Sequence, residues 1–162
     1  MSSRTFRDFL AIAEQQGILR RVTKSVDVTW EPAAMAKWAF QALSDDDRFG
    51  LLFDTVEGSE FGLVTGALGA STHSYALGLG VSRDEVNDIW REALRTPIPP
   101  TAVDSAPCQE VVKTGGDVRL SDLPIPTWTP GKDVAPYITS ITVTRHAHTG
   151  AQNMGVYRTM VK

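Results

Sequence analysis

The chain has 162 residues, 42% of them hydrophobic and 22% charged, with a formal net charge of −3. That length suits one domain or two small ones, and the mildly acidic balance leaves no basic field for nucleic acid or for an anionic membrane surface. The single cysteine, Cys108, excludes an internal disulfide and points to a reducing, cytoplasmic setting.

The opening segment, MSSRTFRDFLAIAEQQG, carries charges inside its apolar pattern, which argues against a signal peptide or a membrane span. Its spacing predicts a helix over 5–16, with Thr5 and Asp8 as a capping box, Phe6, Phe9, Leu10 and Ala13 on one face, and Gly17 as the stop. ILRRVTKSVD alternates like a strand. A second helix is predicted over 31–43, with Pro32 in its first turn and Met35, Trp38, Ala39 and Ala42 as the buried stripe. GLLFDTV and FGLVTGALG read as two short strands joined through EGSE. STHSYALGLG reads as a short helix ending in glycine. SRDEVNDIWREALRT reads as a better one, capped by Ser82 and Glu85 and burying Val86, Ile89, Trp90, Ala93 and Leu94.

A composition change follows. The proline-rich stretch 97–107 reads as an extended linker between an α/β domain over 1–96 and a different unit over 108–162. In that second unit CQEVVKTGGDVRL is predicted as a hairpin turning at Gly-Gly-Asp. SDLPIPTWTPGKDVAP, with four prolines, is a long loop. PYITSITVTR and NMGVYRTMVK are strands on either side of the turn HAHTG.

Candidate chemistry concentrates in the last strand. Alternation puts Asn153, Gly155, Tyr157 and Thr159 on one face and Met154, Val156, Arg158 and Met160 on the other. Asn153 and Arg158 would meet one ligand only if it covered the strand end, or if Gly155 formed a bulge that re-aimed the side chains. Arg158, flanked by apolar residues, reads either as a buried cation paired with a carboxylate or phosphate, or as an edge arginine with its head in water. Spacing favours the second. His146 and His148 stand two apart, a usable ligand spacing, but their turn offers no neighbouring carboxylate or thiolate, so a solvated tip is expected there. His73 reads as a cap or a satisfied polar residue. Cys108 lacks an adjacent base. No dinucleotide or phosphate-loop glycine pattern is present.

The run DLPIPTWTPGKDVAPYIT, followed by TGAQNMGVYRTMV, resembles the UbiD-like family of decarboxylases, which act reversibly on aromatic and α,β-unsaturated acids. The resemblance covers the whole chain but only about the first third of a typical member. It implies prenylated flavin mononucleotide (prenylated FMN), a divalent metal (Mn2+ as a rule) and K+ as cofactors, with a flavin prenyltransferase as supplier. It implies Asn153 as a metal ligand and Val156, Tyr157 and Arg158 as the segment lining the cofactor. Arg158 also matches the arginine that grips the substrate carboxylate. Residues from 108 onward would be the first strands of a split β-barrel. The family's histidine and glutamate ligands and its acidic proton donor lie downstream and are absent here, and HAHTG replaces a common Asp-Pro pair. A fragment, or one piece of a split or homo-oligomeric enzyme, is therefore expected, with a non-catalytic accessory subunit as the alternative.

Overall fold

The structure, a computed structural model, describes residues 5–129 and 131–162. The first four residues of the opening segment and Pro130 of the long loop therefore lie outside the described residues. Nine main elements follow in order: α1 (Phe6–Gln15), β1 (Leu19–Val22), α2 (Glu31–Ala42), β2 (Gly50–Phe53), β3 (Leu63–Thr65), α3 (Thr72–Leu79), α4 (Val86–Arg95), β4 (Tyr137–Arg145) and β5 (Gln152–Met160). The fold is mixed α/β, as expected from the sequence.

Local chemistry sets most boundaries. Thr5 accepts from the Asp8 N–H while Asp8 accepts from the Thr5 N–H, so the box satisfies two of the free donors at this helix end. Gly17, at φ 74, takes the left-handed turn that ends this helix. The Ser82/Glu85 box opens the helical turn leading into α4. Gly80 closes α3 at φ 71. The strand expected over 18–27 is shorter, Leu19–Val22, with a further bridge from Val26 to Val56.

β1, β2 and β3 form one sheet, with β1 parallel and β3 antiparallel to β2. Alternation along β2 divides the core in two. Leu51 and Phe53 join Val26, Ala36, Ala39, Phe49 and Val56 beside α2. Leu52 faces the other way, against Phe9, Ala13, Ile18 and Leu19 of the α1 side. The sheet is thus the middle layer between α2 and the α1–α3 pair.

Two helix faces differ from expectation. α2 buries Pro32, Ala33, Ala36 and Ala39, while Met35 and Trp38 are 36% and 58% exposed. The alanines let the helix axis approach the sheet closely; the large residues fall to the flank, where Trp38 meets Phe49 at 6.4 Å between ring centroids. In α4 only Val86 is buried, and Ile89, Trp90 and Leu94 stand open because no described element covers that side. Gly66, directly after β3, lets α2 pack closely through Phe40. It sits at φ +65, and a Cβ there would fall 2.3 Å from the Phe40 ring. Gly66→Ala is expected to cost about 2–3 kcal/mol, combining left-handed strain with overpacking. A denaturant midpoint unchanged within error in the intact protein would refute this.

The second part of the chain is built differently. The hairpin expected over 108–120 is absent: this stretch forms 3-10 turns at Pro107–Gln109, Gly115–Asp117 and Leu120–Asp122. Val111, Val112 and Val118 are exposed, so no described residue buries the apolar face that a strand pair would need. Among the described residues of 101–162 only Pro126 is buried. The total accessible surface is 12045 Å2, against roughly 8,000 Å2 for a compact protein of this mass. Its order comes from β4 and β5, which pair antiparallel over their full length from Tyr137↔Met160 to Arg145↔Gln152.

Candidate functional site

Because opposed residues of an antiparallel pair share a face, the β4–β5 ribbon has two distinct sides. One side carries Thr139 opposite Arg158, Ile141 opposite Val156, and Val143 opposite Met154. Its four central apolar side chains are 57–79% exposed. The other side is polar, with Ser140 opposite Tyr157, Thr142 opposite Gly155, and Thr144 opposite Asn153. The pairing runs unbroken through Gly155, so the bulge considered from the sequence is not formed. The Tyr157 ring folds back over Gly155 instead, where a Cβ would lie 2.6 Å from it.

Asn153 and Arg158 are consequently on opposite faces, about 17 Å apart along the strand. The ribbon does not bring them together. A ligand touching both must pass around an edge or the end of the ribbon, and among the described residues no further strand pairs with β5.

Arg158 combines the two readings its sequence left open. It is half exposed, yet its Nη2 donates to both Oδ1 and Oδ2 of Asp133 at 2.8 Å. Its guanidinium also lies 4.3 Å from the centroid of the Tyr137 ring, a cation–π distance. Asp133 is itself firmly placed. Its side chain is 8% exposed, Oδ2 accepts the Thr129 N–H at 2.8 Å, and its own N–H donates to the Thr129 carbonyl at 2.8 Å. The Arg158 hydrogen bond, helped by the Thr129 N–H, holds the Asp133 carboxyl below the usual carboxylate range. The loop is tied to the ribbon at further points: Trp128 Nε1 donates to the Tyr137 carbonyl at 2.9 Å, and the Tyr137 N–H to the Pro126 carbonyl at 3.0 Å.

Asp133 and Tyr137 do not stand out as site residues in the sequence. The available signal is chemical: an arginine flanked by apolar residues needs a carboxylate, and Asp133 stands in the loop that runs directly into the pairing strand. The remaining candidates are not assembled into a site. His146 Nδ1 accepts from the N–H groups of His148 and Thr149 and so serves the turn. Among the described residues no group of three or more His, Cys, Asp or Glu side chains is placed to hold a metal. Cys108 is exposed and free. A hollow of about 480 Å3 at the base of the ribbon is lined by Leu120, Leu123, Ile125, Pro136 and Val161, and not by Asn153 or Arg158. No helix among the described residues is long and apolar enough to cross a membrane.

Residues 10–94 match the family described as the 3-octaprenyl-4-hydroxybenzoate carboxy-lyase N-terminal domain, UbiD_N. Residues 101–162 match the Rift-related domain of the same carboxy-lyase, UbiD. The chain belongs to the UbiD family. Among solved structures, UbiD-class HmfF from Pelotomaculum thermopropionicum, in an evolved dimeric form with prFMN, is 33% identical; the match covers 96% of this chain and 35% of that one at a TM-score of 0.84. The vanillic acid decarboxylase of Sedimentibacter hydroxybenzoicus, in its closed form, is 28% identical over 100% of this chain and 36% of that one, at a TM-score of 0.85. A 3,4-dihydroxybenzoic acid decarboxylase from Enterobacter cloacae, at 23% identity and a TM-score of 0.84, shares the fold over 100% of this chain and 35% of its own. This UbiD chain thus spans about a third of the length of these relatives.

Proposed function

We propose that this chain supplies the carboxylate-gripping strand of a non-oxidative decarboxylase of aromatic or α,β-unsaturated carboxylic acids. The observation that carries the reading is the Arg158 guanidinium, already engaged with a carboxylate on a half-exposed ribbon face. Arginine suits this task because its planar fork recognises a carboxylate and keeps its proton at any working pH. The solved relatives named above include a decarboxylase of an aromatic acid, which supports a catalytic reading over an accessory one.

Prenylated FMN is the proposed cofactor, and the ribbon is compatible with it. The edge of β5, unpaired among the described residues, offers backbone N–H and C=O groups along Val156, Tyr157 and Arg158, and the exposed apolar band gives a flat ring a surface to cover. When bound, such a flavin supplies the electron sink that an sp2 carbanion needs. The chain's own contribution is to fix the carboxylate so that its C–C bond is held in one orientation. As that bond breaks, CO2 leaves, the electron pair stays on carbon and a proton must be delivered there. Asp133 is a poor donor for that proton, because Arg158 keeps it ionised.

For the metal, Asn153 offers one exposed amide oxygen on the polar face, a ligand type suited to a hard cation such as Mn2+ or K+. One oxygen is not a site, and the other donors must come from elsewhere in the assembled enzyme, in this chain's continuation, a second copy or a complementing chain. We further place the unit boundaries near residues 97–107, read the ribbon as the first strands of a split β-barrel, and put the enzyme in the cytoplasm with a flavin prenyltransferase as cofactor supplier. Asn153→Ala is expected to weaken Mn2+ retention in the intact protein about ten- to a hundredfold. Metal content equal to wild type after purification removes Asn153 as a ligand. The reading as a whole is tested by co-expressing the intact protein with a flavin prenyltransferase and assaying CO2 release from aromatic and α,β-unsaturated acids. A flavin-free, inactive product would sink it.

A further inference from the structure

Arginine offers a carboxylate two flat, two-pronged edges, one through Nη1 and Nη2, the other through Nε and Nη2. Nη2 belongs to both. Asp133 sits on that shared nitrogen, with Oδ1 and Oδ2 each 2.8 Å from it. Nη2 directs one N–H to each edge, but a carboxylate on either edge would set an oxygen at Nη2 and so beside the Asp133 oxygens, where the two anions repel. We infer that Asp133 is a built-in competitor for Arg158, so that a ligand carboxylate gains its two-pronged contact only by displacing Asp133 from Nη2. The inference rests on the reading of Arg158 as the carboxylate grip and adds what sets the strength of that grip.

Three observations make the exchange physically reasonable. Asp133 is not left without a partner when the guanidinium leaves, because the Thr129 N–H still donates to Oδ2. The guanidinium is not set adrift either, because the Tyr137 ring underlies it without occupying any N–H. The swap also replaces one anion by another at the same cation, so the charge on Arg158 is neutralised before and after. A neutral ligand cannot make that replacement. Asp133 in this sense raises the threshold for every carboxylate that reaches the guanidinium.

The experiment is titration of benzoate and benzamide into the intact protein and its Asp133→Asn variant by calorimetry, with Arg158→Gln as the reference for the grip itself. Asparagine keeps the shape and the acceptor for Thr129 but gives up the charge. Benzoate is expected to bind D133N about fivefold tighter, the scale of a half-exposed ion pair, with benzamide unchanged. Equal or weaker benzoate binding in a folded D133N that still binds benzamide as before overturns the competition. Benzoate binding that R158Q leaves untouched, or that is absent from wild type and D133N alike, overturns the grip reading instead. Should D133N fail to fold, the carboxyl carbon signal of Asp133 in the unaltered protein decides: it must shift as benzoate saturates, and a constant signal refutes the exchange.

Discussion

Arg158→Lys in the intact protein is expected to lower kcat for decarboxylation by about two to three orders of magnitude, the loss typical when one preorganised charge-stabilising group is removed. Flavin content should stay near wild type. The two halves of that result separate the roles proposed for the residue. Lysine keeps the charge, so electrostatic attraction of the acid survives. What it cannot reproduce is a flat pair of donors, and an ammonium on a flexible stem leaves the carboxylate free to rotate about the bond that must break. Its fit between Asp133 and Tyr137 is also poorer, because the guanidinium carbon sits 4.3 Å from the ring centroid, whereas lysine presents a hydrated point charge. Steady-state CO2 release and the visible flavin spectrum on the same preparation check this. Undiminished turnover would take Arg158 out of the chemistry altogether.

The largest stability effect is expected at Phe53. It is fully buried at the end of β2, on the sheet face that meets α2, and packs with Ala36, Ala39, Leu51 and Val56. Phe53→Ala removes a ring from a position held by strand pairing to Leu63, among neighbours that include the small Ala36 and Ala39 and the strand-paired Leu51. Collapse to fill the space would need α2 to move toward the sheet, and the alanines have already brought it close. A loss of about 3–5 kcal/mol follows, a large share of the roughly 5–15 kcal/mol that holds typical domains together. Denaturant unfolding followed in the N-terminal unit should show the midpoint drop with an unchanged slope; a shift below about 1 kcal/mol would mean that the cavity closes. The ribbon is expected to respond weakly to this change, since none of its residues belongs to that core.

The sequence by itself determined what depends on neighbours a few residues away. The Thr5–Asp8 and Ser82–Glu85 boxes, the left-handed glycine after α3 and the alternation of the two ribbon strands all follow from local spacings, and each is legible in the residues alone. The family, too, is readable, from a specific run of residues between 122 and 161. Tertiary structure alone decided three other matters. It chose the alanine face of α2 over the face with Met35 and Trp38, because closeness of approach to a sheet outweighs side-chain size. It left 108–120 without strands, since an apolar face with nothing to cover it offers no gain for ordering the backbone. It also brought Asp133 to Arg158 across 25 residues of chain, a contact set by how a proline-rich loop closes against the ribbon. Spacing rules have no reach over such a distance, because the loop's path depends on every hydrogen bond that ties it down.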